Sequence, residues 1–406
     1  MARIVQKFGG TSLADLDRIR AVAKLIKGTV KNGDQVAVVV SAMAGATNQL
    51  IQWTCDLSPN CDPREYDVVV STGEQVTVGL LTMALQKLGV EARSWLGWQL
   101  PIRTDNLHGK ARIQSMCAEG VINSLELGQV SVMAGFQGIA ANDRIATLGR
   151  GGSDTSAVAL AAAISADRCD IYTDVEGIYT SDPRIVTKAK KLSRITYEEM
   201  LELASLGAKV LQARSVELAM NQRVRLQVLS SFIEVSGTLV VDEEEIVEKE
   251  IVSGIAHSEN EAKITLVGVS DNPGIAAGIF GPLAEANINV DMIVQNVSKD
   301  GEATDLTFTV PKDNMLKAIE VLECQKEVLG FERVIGDPDV VKISVVGVGM
   351  RSHAGVANKM FQTLAEKGIN IQVISTSEIK ISVLVSDAYM ELALRSLHTA
   401  YDLDEM

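Results

Sequence analysis

The chain lacks the basic excess of a polyanion-binding protein. Its 38 Lys and Arg stand against 52 Asp and Glu, a formal net charge of −14. That balance excludes a nucleic-acid partner, and any basic residues that meet a phosphate must be few and local. Cysteine is scarce and unpatterned. Cys55, Cys61, Cys117, Cys169 and Cys324 are odd in number and show no CxxC spacing, which excludes a disulfide framework or a zinc site and fits free thiols in a reducing compartment. Aromatics are only 4% against 47% hydrophobic residues overall, so the interior must be aliphatic. No charged segment followed by an apolar one opens the chain, and no apolar run reads as a membrane span. A soluble cytoplasmic protein without a membrane partner is expected.

The 406 residues suffice for two or three domains with sizeable cores. Up to about residue 230, strand and helix patterns alternate. Residues 4–8, 36–41, 129–134 and 168–173 read as strands, and the continuous apolar run at 36–41 suits a strand covered on both faces. Residues 16–26, 76–88 and 155–166 read as helices, and 200–220 as one or two more. The pattern predicts an α/β domain with a mostly parallel sheet between helices, whose ligands collect at the carboxyl ends of the strands.

Residues 242–250 are acidic, with little apolar content, and read as a solvated linker. Beyond them lies an internal repeat. Lys263-Ile264-Thr265-Leu266-Val267-Gly268-Val269 resembles Lys342-Ile343-Ser344-Val345-Val346-Gly347-Val348, and Leu283–Val290 resembles Leu364–Ile371. Each copy reads strand, glycine loop, helix, strand and a further strand (305–310; 380–385), a small α+β unit present twice.

Several polar, glycine-rich runs fall at the strand ends. Lys7-Phe8-Gly9-Gly10-Thr11-Ser12 combines a strand, a tight turn and a helix start with one mobile cation, which suits an anion. It is not a P-loop, and a βα turn beside a solvated lysine would read the same. In Thr147-Leu148-Gly149-Arg150-Gly151-Gly152-Ser153-Asp154-Thr155, Ser153 or Asp154 is placed to cap the helix expected from Thr155. Capping leaves Arg150 unexplained, and an arginine between glycines suits a carboxylate or phosphate. Ser71-Thr72-Gly73-Glu74 precedes a helix, and capping by Ser71 or Thr72 accounts for it. The loop from Tyr172 to Arg184 offers an aromatic face and hydrogen-bonding groups for a base and ribose, although ordinary turns have the same composition.

Taken in order, KFGGTS, VVVSAMAGATN, STGEQ, AGFQG, LGRGGSDTSAVALAAA, YTDVEGIYTSDPR and ELASLGAKVLQARSVE resemble the aspartate kinases, a family of the amino-acid kinase fold. DNPGIAAGIFGPLAEANINVDMIVQNVS and STSEIKISVLV resemble the paired ACT regulatory units of its monofunctional members, and the resemblance covers nearly the whole chain. It implies a catalytic α/β domain at 1–240, a linker and first regulatory strand at 241–262, and two ferredoxin-like ACT domains at 263–335 and 336–406. It further implies transfer of the ATP γ-phosphoryl group to the β-carboxylate of L-aspartate, the first step toward lysine, threonine and methionine.

By the same resemblance Lys7, Phe8, Gly9, Gly10 and Lys209 face the ATP phosphates, with Mg²⁺ held mainly through those phosphates and no dedicated metal ligands. Asp154 orients the lysines. Arg150 meets the α-carboxylate of aspartate and Glu74 its ammonium group, with Ser41, Thr47 and Ser153 nearby. Thr173, Asp174, Tyr179, Asp182 and Arg184 line the nucleotide pocket. Lysine, threonine or both are the expected effectors. Their contacts come from Asp271, Asn272, Pro273, Gly274, Ile275, Ala276, Gln295, Val356, Ala357, Asn370, Ile371, Ser377 and Glu378. Position 357 is Ala where some threonine-sensitive relatives carry a hydroxyl residue. A homo-oligomer built through the ACT units is expected, with scope for a shorter regulatory chain from an internal start.

Overall fold

The computed structural model describes residues 1–206, 210–246, 251–270, 272–297, 303–353 and 355–404. The chain divides into two units. The first takes Met1–Ile178, Lys191–Ser205 and the described residues of 209–247, and the second takes Tyr179–Lys190, Leu206 and the described residues of 248–406.

The first unit opens with β1 (Arg3–Phe8), α1 (Leu16–Lys31) and β2 (Gln35–Val40), followed by α2 (Ala46–Leu57), α3 (Pro63–Val70) and α4 (Thr72–Lys87). Next come β3 (Ala92–Trp95), β4 (Ile102–Thr104), β5 (Ile113–Met116), α5 (Glu119–Glu126), β6 (Val130–Ala134), β7 (Gln137–Ile139) and β8 (Ile145–Thr147). The unit closes with α6 (Gly152–Ala163), β9 (Arg168–Thr173), β10 (Arg194–Thr196), α7 (Tyr197–Ser205), α8 (Ala213–Gln222), β11 (Leu226–Ser230) and β12 (Thr238–Val241).

Eight strands form one sheet in the order β10-β12-β11-β9-β1-β2-β6-β3, parallel at every pairing except β11 with β12. A smaller sheet, β5-β4-β7-β8, stands apart from it. Strand parity sorts the side chains. Phe8, Val36, Val38 and Val40 pack with Ile19, Val22 and Ile26 of α1 and with Val78, Leu81 and Leu85 of α4. Helix α6 packs against β1, β2 and β9. Lys7, next to Phe8 on the strand, therefore points to the face that α6 covers.

Three local expectations change. Helix α6 begins at Gly152, three residues ahead of Thr155, so Ser153 and Asp154 lie in its first turn; its N-cap is Gly151, at φ 71° and with no side-chain cap. Neither Ser71 nor Thr72 caps α4. Helix α3 runs almost straight into it, and the two hydroxyls donate back to Val68 O and Val69 O. The joined segment Pro63–Lys87 also reaches the length and hydropathy of a membrane span. It carries the buried Asp67 and Glu74 and packs into the sheet core, so it reads as an interior helix pair.

The second unit holds β13 (Gly254–Ser270), α9 (Ile275–Glu285), β14 (Asp291–Val297), β15 (Ala303–Val310), α10 (Met315–Glu323), α11 (Lys326–Leu329) and β16 (Arg333–Val346). It ends with α12 (Val356–Glu366), β17 (Val373–Thr376), β18 (Lys380–Ser386) and α13 (Met390–Ala400). All six strands form one antiparallel sheet, β14-β15-β13-β16-β18-β17.

Two long strands are shared by the repeated copies. Residues 263–267 of β13 pair with 333–337 of β16, giving the first copy its fourth strand, and 254–258 of β13 pair with 342–346, giving the second copy its own. The cores follow. Ile264, Leu266 and Phe308 pack with α9 and α10, whereas Ile255, which precedes the first copy in sequence, is buried with Ile343, Val383, Met360 and Leu397 of the second. Tyr179–Lys190 belongs to this second core. Val186 and Ala189 are buried there, and Thr180 Oγ1 lies 2.8 Å from His398 Nε2.

Equivalent lysines of the repeat cross-link the copies. Lys342 sits 2.8 Å from Glu261 and 2.8 Å from Asp291, and Lys263 donates to Gln372. Lys342 is buried, as is Glu261. Lys342→Met strands the Glu261 carboxylate without its counter-charge and should cost the second unit about 3 kcal/mol. Urea unfolding checks this, and adding Glu261→Gln should recover part of the loss.

Candidate active site

The carboxyl ends of β1 and β2, the first turns of α2, α4 and α6, and the loop between β8 and α6 surround one cleft of about 1040 Å³ in the first unit. It is lined by Lys7, Gly9, Gly10, Ser41, Thr47, Glu74, Arg150, Ser153 and Asp154, among others. Four segments distant in sequence thus meet at one opening, where an open α/β sheet places its ligands.

Lys7 and Asp154 form the central contact. The ammonium of Lys7 lies 2.5 Å from Asp154 Oδ1, with side-chain exposures of 11% and 9%. Two partly desolvated charges hold each other at the cleft, and the lysine keeps donors to offer. The helix N-terminus beside them is that of α6, not α1. A single 3₁₀ turn (Thr11–Leu13) separates the glycine pair from α1, whose first turn is capped by Asp15, and Gly9 N–H donates to Tyr172 O at 3.3 Å. The anion-favouring field at the site therefore comes from α6 and Lys7.

Glu74 stands in the first turn of α4, 3% exposed. Gly73 makes this possible. A β-carbon there would lie 2.7 Å from Ala42 Cβ, so only glycine lets α4 approach the loop after β2 this closely. Glu74 Oε1 accepts from Ala42 N–H at 3.0 Å, and Oε2 has no hydrogen-bond partner among the described residues. Burial pushes the Glu74 carboxyl up to about 7 against the pull of the Ala42 N–H. A buried carboxylate with one oxygen unpartnered suits a cationic ligand group. Arg150 is exposed at the rim between two left-handed glycines, at φ 76° and 71°.

Other expected residues fall elsewhere. Phe8 is fully buried and stacks on Tyr172 at 4.7 Å, so its side chain serves the core rather than the cleft. Thr173 and Asp174 do not line the cleft, and Thr173 O accepts from Ser231 N–H. Tyr179, Asp182 and Arg184 belong to the second unit, where the Arg184 guanidinium holds the Asp182 carboxyl below its ordinary value. Lys209 and Asp271 lie outside the described residues. Of the remaining effector candidates, Gly274 provides a left-handed N-cap to α9 that matches Gly355 ahead of α12, so Ile275, Ala276, Val356 and Ala357 occupy equivalent first turns. Gln295 lies on β14, Asn272 and Pro273 precede α9, Asn370 and Ile371 precede β17, and Ser377 and Glu378 turn between β17 and β18.

The cleft also takes residues that sequence reasoning passed over: Asn48, Lys110, Arg112, Phe136, Gln212 and Arg214. Asn48, Phe136, Gln212 and Arg214 sit inside segments already singled out, and Phe136 has φ 68°, a costly conformation for a bulky residue. Lys110 and Arg112 come from a stretch with no motif of its own.

Known proteins resemble the chain along its whole length. The model of the amino acid kinase family matches residues 2–230, and that of the ACT domain matches 264–325 and 343–401. An aspartate kinase of Stutzerimonas stutzeri is 55% identical over 405 residues, covering 100% of this chain and 98% of that protein. An aspartokinase of Pseudomonas aeruginosa is 55% identical over 406 residues, with the same coverage. Among solved structures, E. coli aspartokinase III in complex with aspartate and ADP matches with a TM-score of 0.81 at 27% identity, covering 98% of this chain and 99% of that one. The chain belongs to the amino acid kinase family and, within it, to the aspartate kinases that carry ACT domains.

The raised Glu74 carboxyl has a consequence for stability. Below pH 4.5 both folded and unfolded chains hold the proton; between the ordinary value of 4.5 and about 7 only the folded chain does. Stability from this group therefore falls as pH rises through that window and is level above it. Glu74→Gln should remove a penalty approaching 3 kcal/mol by neutral pH. Urea unfolding of both proteins from pH 4 to 8 checks this, and parallel curves would count against it.

Proposed function

We propose that the protein transfers the γ-phosphoryl group of ATP to the β-carboxylate of L-aspartate, giving 4-phospho-L-aspartate, and that its ACT units place this step under feedback control. The observation that carries the reading is the cleft itself, in which a buried carboxylate with an unpartnered oxygen, an exposed arginine and a carboxylate-held lysine converge. Those three charges complement an ammonium group, a carboxylate and a phosphoryl group.

An ionised carboxylate has no proton to lose, so the acceptor needs alignment rather than a general base. Glu74 takes the ammonium and Arg150 the α-carboxylate, with Ser41, Thr47 and Ser153 supplying short polar contacts. The β-carboxylate oxygen then attacks the γ-phosphorus, and the bond to the β–γ bridging oxygen breaks, leaving ADP. Lys7 and the Gly9–Gly10 turn meet the charge spread over the moving group, with Lys209 as a second cation. Asp154 orients Lys7.

Among the described residues no three His, Cys, Asp or Glu side chains gather where they could hold an ion such as Mg²⁺. Such an ion, carried on the nucleotide's phosphates, would supply charge neutralisation there. Tyr179, Asp182, Arg184, Thr173 and Asp174 are proposed nucleotide contacts.

Lysine, threonine or both are proposed effectors, received by the first turns of α9 and α12, by Gln295 and by the 370–378 region. For threonine, Ala357 offers only backbone. Residues 1–240 are read as the catalytic domain, 241–262 as linker and first regulatory strand, and 263–335 and 336–406 as the ACT domains. A cytoplasmic homo-oligomer built through those domains, with a shorter regulatory chain from an internal start, completes the proposal.

Incubation with ATP, Mg²⁺ and aspartate, with hydroxylamine trapping, tests the reading: aspartyl hydroxamate is expected, and none would refute it. Lys7→Ala should lower kcat by about a thousandfold while the protein stays folded. Glu74→Ala should mainly raise KM for aspartate, about tenfold or more.

A further inference from the structure

Asp67 lies in α3, fully buried, in a stretch that carries no recognisable motif. Its carboxylate accepts from Gly109 N–H at 3.1 Å and from Thr147 Oγ1 at 2.5 Å, and His108 Nδ1 lies 2.7 Å away. One side chain thus joins three segments: α3, the loop that carries Lys110, and the end of β8 just ahead of Arg150. A buried carboxylate is costly unless donors surround it, and here they come from both loops.

A second clamp joins the same two loops. Arg214, at the start of α8, donates to Leu148 O at 2.8 Å and to Ala111 O at 2.7 Å. Ala111 N–H donates to Thr147 O at 2.9 Å. The loops therefore abut, and a β-carbon on Gly149 would lie 3.6 Å from Lys110 Cα. This rigidity is unusual for exposed loop residues and is what a binding constellation requires.

Lys110 and Arg150 both line the cleft and are exposed, and among the described residues neither has an ion-pair partner. Two cations carried on abutting loops into one cleft repel each other, and an anionic ligand relieves that repulsion. We propose that Lys110 is a further substrate-binding residue, a second cation beside Arg150 for the carboxylates of the acceptor, and that Asp67 is the positioning residue that sets both. The identity of the acceptor rests on the aspartate kinase reading above. On that reading Lys7, paired with Asp154, serves the phosphoryl group, which leaves the Lys110–Arg150 side to the acceptor.

Steady-state kinetics of aspartyl hydroxamate formation test this. Lys110→Met should raise KM for aspartate about tenfold and leave KM for ATP within about twofold, and Lys110→Arg should restore most of the loss. Asp67→Asn should also raise KM for aspartate selectively, because both cations lose their setting. An unchanged KM for aspartate in Lys110→Met overturns the binding role, whether or not Asp67→Asn folds. Equal increases in both KM values for a folded Asp67→Asn overturn the positioning role. Failure of the wild-type protein to phosphorylate aspartate refutes the functional reading instead, so the two failures are distinguishable.

Discussion

The cleft depends on one contact, the ammonium of Lys7 held 2.5 Å from Asp154. It exists because strand parity turns Lys7 away from the Phe8 face and toward α6, and because α6 begins early enough to carry Asp154 in its first turn. Moving the lysine to the position of Phe8 would send its charge into an aliphatic core. The parallel sheet, the glycine turn after β1 and the left-handed Gly151 ahead of α6 all bring these two groups to one opening. A lysine so held is fixed in place, which is how a protein stabilises charge that develops on a transferring group.

The remaining charges are arranged with the same economy. Glu74 is buried at a cost, and the close approach of Gly73 to Ala42 keeps it there with one oxygen unpartnered. Arg150 stands between glycines at the rim. The regulatory half follows another logic, in which two copies of one unit exchange strands, so that Ile255 belongs to the core of the second copy although it precedes the first in sequence. A change in one copy's strand is thereby mechanically part of the other, a geometry suited to coupling two effector sites.

Much of this was legible in the sequence where local chemistry decides. The aliphatic strand Gln35–Val40, the strand Arg168–Thr173 and the repeat at Lys263 and Lys342 declare themselves by periodicity. Lys7 ahead of its glycine pair and Arg150 between glycines stand out as polar residues at strand and helix ends, whereas Glu74 is singled out only by the family resemblance. What escaped was set by tertiary context. Phe8 looked like part of a phosphate turn, yet its parity sends it into the core. Tyr179–Lys190 follows a nucleotide-like strand, but Val186 and Ala189 make it part of the regulatory core. Asp67 has partners 41 to 80 residues away, so no window of sequence contains its role.

The central claim is that Lys7 and Asp154 act as one unit, with the carboxylate orienting the lysine and not removing a proton. A double-mutant cycle in kcat tests it most directly. If the pair is a unit, Lys7→Ala/Asp154→Ala should be no slower than Lys7→Ala alone, because the lysine that Asp154 holds is gone. Independent, multiplicative losses from the two substitutions would contradict the account.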